Sequence, residues 1–320
     1  MKIVIWGYPL YSHTHSYIHA AFYKAFTHLG YETYWFHDGD YPDNFDWNDC
    51  LFWTEGFADR NIPLNKTSTY FVHVCPDPAK YINSGVKRFI DVRYNHLYHN
   101  DHVYRYVLDK SKLEKVGPCC YFSKKSNRRT QVLNDYHQYW IDDYDKFYVT
   151  WAANYLPEEF DFDDINHPRE NKIYFSGNLS SYGRCENYSL FAPFIEECSK
   201  NGVEFIHNDP FSNPLPEDEV IKRTKKSLLG VDIRGPEHIK NGYVPCRVFK
   251  SMSWGHLGMT NSEEVYKELE GNCIYQPNTS QLFYDAMDKK DDLKFIENGM
   301  KYIQKNHTYI NRIESIMSIL

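Results

Sequence analysis

The stretch Ser227–Asn261, SLLGVDIRGPEHIKNGYVPCRVFKSMSWGHLGMTN, constrains the fold more than any other part of the chain. Leu228, Leu229 and Val231 form a short apolar run bounded by turn residues, the pattern of a buried strand. A polar Gly/Pro loop follows. Pro245 suits the first turn of a helix and Gly255 its stop. Leu257, Met259 and Thr260 then resume an extended run. Strand, loop, helix and strand in this order make a parallel βαβ unit. The mouth of the helix carries Arg234, Lys240, Arg247 and Lys250. A helix N-terminus with free N–H groups and nearby cations suits a diphosphate. An ordinary αβ unit with solvated Lys and Arg gives the same pattern.

The start of the chain has a similar grammar. Lys2–Trp6 reads as a strand, and Gly7–His15 as a loop holding Tyr8, Pro9, His13 and His15. Ser16–His28 reads as a helix with Ile18, Ala21, Phe22, Ala25 and Phe26 on one face. Glu32–Phe36 is the next strand. Further strands are expected near Cys50–Trp53, Thr69–Val74, Lys87–Val92, Pro118–Phe122 and Lys146–Trp151. Ala152–Arg169 is acidic, contains Pro and has no periodicity, which marks a linker. Pattern restarts at Lys172–Phe175, followed by a helix, a strand at Val203–Ile206 and the helix Glu217–Lys226. The expected fold class is α/β, with two tandem Rossmann-like domains and a ligand cleft between them. The expected domains are 1–155, a linker at 156–170, 171–300, and a C-terminal helix at 301–320 packing back on the first domain.

At 320 residues, two domains of ordinary size fit. The net charge of −7 without a basic tract argues against a nucleic-acid partner. Eight cysteines without a CxxC, two of them adjacent at 119 and 120, fit neither a disulfide framework nor zinc spacing. No run approaches a membrane span, and MKIVIWG reads as a strand and not as a leader. The expectation is a cytoplasmic protein with reduced thiols.

Gly242-Tyr243-Val244-Pro245-Cys246-Arg247-Val248-Phe249-Lys250, followed by Gly255 and Thr260, resembles the donor-site region of GT-B-fold glycosyltransferases. Thr150–Pro157 and DIRGPEHIKNGYVPCRVFK also resemble GT-B-like proteins of bacteria and large DNA viruses. The resemblance covers mostly the C-terminal half; the N-terminal half matches by layout only. It implies transfer of a sugar from a nucleotide sugar, UDP- or GDP-linked, to a hydroxyl of a glycan or other acceptor. No further cofactor and no metal is implied. A virus-encoded enzyme acting in the host cytoplasm is compatible with it.

Many retaining members carry Glu where Lys250 stands. Lys cannot accept the donor ribose hydroxyls and can contact a phosphate as a point charge. The resemblance therefore leans toward an inverting enzyme. Arg247 ranks first as a diphosphate ligand, since a guanidinium matches two phosphate oxygens. Arg234, Lys240, Gly177 on the loop after Phe175, Tyr243 and Asp232 are the other donor-site candidates; Arg184 is a further cation. His15 is the candidate general base, placed as in inverting GT-B enzymes, with His13 as its alternate. Asp77, after the strand ending at Val74, is the rival base, and Glu55 has a similar location with weaker support. Asp38-Gly39-Asp40 has the DxD form of a metal motif but sits in an acidic turn, so no metal is expected. Two other readings stay open: a GT-B-fold nucleotide-sugar epimerase, and a non-catalytic glycan- or nucleotide-sugar-binding protein.

Overall fold

The computed structural model describes residues 1–320 except 14, 95–97, 101–104, 108–112, 125–129, 134–137, 142–143, 180–185, 211 and 241. Arg184 lies outside the described residues. The chain divides into two compact units, one of Met1–Thr150 with Arg312–Leu320 and one of Trp151–Asn311.

The first unit is built on β1 (Lys2–Trp6), α1 (Ser16–His28), β2 (Thr33–Phe36), β3 (Cys50–Glu55), β4 (Thr69–His73), α2 (Pro78–Ser84) and β5 (Arg88–Tyr94). Two short hairpins follow, β6 (Tyr98–Asn100) with β7 (Arg105–Val107) and β10 (Thr130–Leu133) with β11 (Gln138–Ile141). Between and after them come β8 (Glu114–Gly117), β9 (Cys120–Ser123) and β12 (Lys146–Val149). The main sheet runs β2-β1-β3-β4-β5-β12-β9-β8. It is parallel from β2 to β12, and β9 and β8 add antiparallel strands at one edge. The expected strand at Pro118–Phe122 is thus present two residues later and runs the other way.

Strands β3 and β4 are buried along their whole length. A parallel strand covered on both faces needs apolar residues without alternation, and LFW and YFV supply them. Helix α1 lays Ile18, Ala21, Phe22, Ala25 and Phe26 on this sheet. The Phe22 ring meets the Trp53 ring at 4.1 Å between centroids. Chain order 2-1-3-4-5 is the flavodoxin-like form of a doubly wound sheet. The chain leaves β1 toward one side and returns to its other side at β3. The loops after β1 and β3 therefore part at the carboxyl ends of the strands, which is the topological switch point.

The second unit repeats this order. Its strands are β13 (Lys172–Ser176), β14 (Glu204–Asn208), β15 (Gly230–Asp232), β16 (Gly258–Thr260) and β17 (Ile274–Tyr275). Its helices are α3 (Asn187–Lys200), α4 (Glu217–Lys226), α5 (Pro236–Lys240), α6 (Cys246–Ser253), α7 (Glu263–Glu268), α8 (Thr279–Lys289) and α9 (Leu293–Asn306), with α10 (Tyr309–Ser318) leading out of it. Strands β14 and β13 pair in parallel, as do β15, β16 and β17. The Leu228 N–H donates to Lys172 O at 2.7 Å, and the Tyr174 N–H to Ser227 Oγ at 3.0 Å. These bonds seat β13 next to the entry of β15. The order is again 2-1-3-4-5, with a switch point between β13 and β15. Sequence periodicity missed α5, a helix of five residues, in this unit, and α2, β6, β7, β8, β10 and β11 in the first. Among the described residues no helix is long and apolar enough to cross a membrane.

The last residues count with the first unit. Arg312 is fully buried and donates from Nε to Thr150 O at 2.9 Å and from Nη1 to Pro118 O at 2.8 Å. Arg312→Met keeps the volume but strands the buried Thr150 carbonyl and the half-buried Pro118 carbonyl. The expected cost is about 2–4 kcal/mol, read as a lower urea midpoint with an unchanged slope.

Candidate active site and anion site at two switch points

At the first switch point, β1 ends in Trp6 and the loop to α1 carries His13 and His15. Strand β3 ends in Glu55 and β4 in His73. The Glu55 side chain is almost wholly buried, and His15 is half-buried. The His15 Nδ1–H donates to Glu55, with 2.9 Å to Oε1 and 2.8 Å to Oε2. His19 Nε2 and His73 Nδ1 each stand 3.9 Å from Oε2. His19 reaches the carboxylate because it lies one helical turn after His15 on α1. Burial works against charge on Glu55, but hydrogen bonds from His15 and His73 outweigh it and hold the carboxyl well below the usual range.

The neighbouring imidazoles respond to burial in the opposite sense. Burial lowers both His19 and His73 to about 4, against the pull of Glu55. His13 is also lowered by burial, and further by His15. Its ring stacks on Tyr8 at 4.1 Å, and its Nδ1 accepts the His15 N–H at 3.1 Å. The strand ends here are pressed together. The Gly56 N–H donates to His73 O at 2.9 Å, and a Cβ at Gly56 would meet Pro76 Cδ at 2.4 Å and Val74 O at 2.7 Å. Val74 itself sits at φ 49°, a left-handed conformation that a β-branched residue rarely adopts.

Asp77 stands after the β4 end, at the start of α2. It is exposed and caps α2, accepting the Lys80 N–H at 3.2 Å. Asp38 is also structural. It accepts from Trp6 Nε1 at 2.9 Å and from the N–H groups of Arg60 and Asn61, so the DGD turn is an anchor for the loop after β3.

At the second switch point the loop after β13 meets the loop after β15. Asp232 is fully buried, accepts from Arg234 Nη2 at 2.5 Å and from Thr260 Oγ1 at 3.2 Å. Asn261 clamps the Arg234 backbone from both sides, accepting its N–H at 2.7 Å and donating to its carbonyl at 3.0 Å. Asn187 joins the two loops by accepting the Gly235 N–H and donating to Asn178 O. Arg234 is itself buried, and its Nε has no hydrogen-bond partner among the described residues.

Arg247 stands in the first turn of α6, whose N-terminus has no side-chain cap. Its guanidinium lies over the Phe175 ring at 4.4 Å, and its Nε donates to Ser176 O at 3.1 Å. Burial, and next the charge of Arg234, lower it to about 10. A Cβ on Gly177 would stand 2.1 Å from Arg247 Nη2, so glycine is what lets the loop and the guanidinium approach. Tyr243 packs its ring 5.0 Å from His238, and burial pushes the Tyr243 hydroxyl up to about 12 and His238 down to about 4. A shallow recess of about 20 Å³, lined by Phe175, Ser176, Asn208, Val220 and Thr224 among others, adjoins the group. Two other candidates stand with acidic neighbours. Lys250 Nζ lies 3.9 Å from Glu217 Oε1, and Lys240, which is exposed, lies 3.7 Å from Glu237.

The structure therefore gathers His13 and His15 in one unit, and Asp232, Arg234, Tyr243, Arg247 and Gly177 in the other. Sequence reasoning left His15 without an acidic partner and gave Glu55 little weight. It also missed His19, Phe175, Asn187 and Asn261. His19 had a signal, the i,i+4 spacing to His15; the others depend on strand order.

No protein-family model matches the chain, and no curated protein matches it. A solved structure of T4 phage BGT in complex with its UDP-glucose substrate is similar at 12% identity, covering 100% of this chain and 96% of that one, with a TM-score of 0.42. A likeness of that degree carries no argument about chemistry.

The buried imidazoles set an acid limit on stability. His19 and His73 have folded values near 4, below the ordinary value near 6.5. A depressed folded value means the unfolded chain binds protons first, so stability is complete above about pH 6.5 and falls as pH drops toward 4. Urea unfolding across that window is expected to show this loss, and His19→Asn to flatten it.

Proposed function

We propose that the chain is a metal-independent, inverting glycosyltransferase of GT-B architecture, moving a hexosyl or pentosyl group from a UDP- or GDP-sugar to an acceptor hydroxyl. The observation that carries the reading is the Arg234–Arg247 pair. Two guanidiniums are held beside a glycine loop and an uncapped helix N-terminus at a switch point. The charge of Arg234 weighs against that of Arg247, an anion would offset that repulsion, and a diphosphate offers oxygens to both forks. The pair supplies the charge stabilisation that the departing nucleoside diphosphate needs.

The His15–Glu55 dyad supports the other half of the reaction. Glu55 holds the Nδ1–H tautomer, which leaves the Nε2 lone pair of His15 as the base. The acceptor oxygen forms a bond to the sugar C1 as its proton passes to Nε2. The C1–O bond to the diphosphate breaks, and its electron pair leaves on the phosphate oxygen. Attack opposite the leaving group inverts C1. With Lys250 next to Glu217, it assigns the phosphate contacts to Arg247 and Arg234 first.

Arg247→Ala should weaken UDP or GDP binding about tenfold or more by calorimetry, the loss of one charge-assisted contact. Unchanged affinity would remove Arg247 from the donor site. His15→Ala should lower transfer about 10²–10⁴-fold with donor binding intact. EDTA should leave transfer standing; a strict divalent-metal requirement would count against the mechanism.

A further inference from the structure

His13, His15 and Glu55 each offer a ligand atom, and the three atoms lie within 4.8 Å of one another. We propose that these three side chains form a binding site for a divalent transition ion of the Zn²⁺ class, and that a bound ion silences His15 as a base. The silencing rests on the function proposed above; the binding site does not.

The donor set is what selects the ion. Two imidazole nitrogens and one carboxylate oxygen suit Zn²⁺ and its neighbours, whereas Mg²⁺ and Ca²⁺ ask for oxygen ligands. Three protein ligands leave further positions open to water. The site is graded in rigidity. Glu55 is buried at the end of β3, with His15, His19 and His73 around it. His15 is half-buried and already bonded to it. His13 is exposed, on the loop before α1, with its ring lying on that of Tyr8. Metal–ligand bonds of about 2.0–2.1 Å require the atoms to draw in from their present spacing. A loop histidine at the rim can make that movement without disturbing the sheet. The lone pair on His13 Nδ1 accepts the His15 N–H, so an ion on His13 either replaces that bond at Nδ1 or moves the ring proton from Nε2 to Nδ1.

Metal and base function exclude each other at His15. An ion on Nε2 takes the lone pair that would accept the proton. An ion on Nδ1 takes the place of the Nδ1–H that faces Glu55, so the remaining proton of the neutral ring sits on Nε2. Either way no free imidazole lone pair faces an acceptor hydroxyl. The expected role is inhibition by an ion that the metal-independent reaction does not use.

The test titrates the full, chelator-stripped chain with ZnCl₂ by calorimetry, without nucleotide or sugar. CoCl₂ is added in parallel to read visible d–d absorption. One ion per chain, tighter than about 10 µM, is expected. His13→Ala, at an exposed loop position, should weaken binding at least about tenfold and diminish the cobalt bands. Glu55→Gln, checked for folding by circular dichroism, should do the same. No binding to the wild-type chain, or unchanged affinity in His13→Ala, would overturn the site. Zn²⁺ should also suppress transfer, with recovery on EDTA; binding with transfer unaffected would overturn the silencing. A chain that shows no transfer even when metal-free fails the function proposed above, and the titration still reads the site.

Discussion

A parallel strand ends in a loop that must travel to the next helix, and the direction of travel decides what the loop can meet. In both units the chain leaves the first strand to one side and returns on the other. That reversal opens a gap above the carboxyl ends of the first and third strands. Every group argued to act in this protein stands at one of those gaps. In the first unit the loops after β1 and β3 bring His15 to Glu55. In the second the loops after β13 and β15, with the start of α6, bring Arg247 and Gly177 toward Arg234.

The two gaps have opposite electrostatic designs. The first is centred on a buried anion. A carboxylate removed from water is costly unless hydrogen-bonded, and here imidazoles satisfy it. Ionised Glu55 in turn orients His15 and fixes which nitrogen carries the proton. The second gap is centred on buried cations. Asp232 neutralises Arg234 in part, and Phe175 offers its ring face to Arg247. Excess positive charge remains beside an uncapped helix start, which is the environment of an anion ligand. One gap thus sets imidazoles around a buried anion, and the other sets cations at a helix start. The first gap also brings His13, His15 and Glu55 together, and imidazole lone pairs and a carboxylate serve protons and metals alike.

Much of the fold was legible because its signals are local. Strands β3 and β4 announce themselves as short apolar runs, α1 by its helical stripe, and the Arg247 helix by its proline and its cations. His15 and Arg247 could be singled out, since each stands on a loop or first turn that any βαβ unit places at the strand ends. Glu55 carried little weight, because nothing near it in the chain shows which histidine it faces. Asp77 read as a plausible base for the same reason and is a helix cap.

The sequence by itself determined the element types, the repeated αβ grammar and the cationic start of α6, since periodicity and turn chemistry act over a few residues. Only the tertiary structure decided the partners. Glu55 lies 40 residues from His15, and Arg247 lies 71 residues from the carbonyl it binds. Such contacts follow from strand order, and strand order is set by how whole layers bury their apolar faces. The same packing turned Asp38 into an anchor and put Lys250 beside Glu217. A residue's type says what chemistry it can do, and the sheet on which its loop opens says with whom.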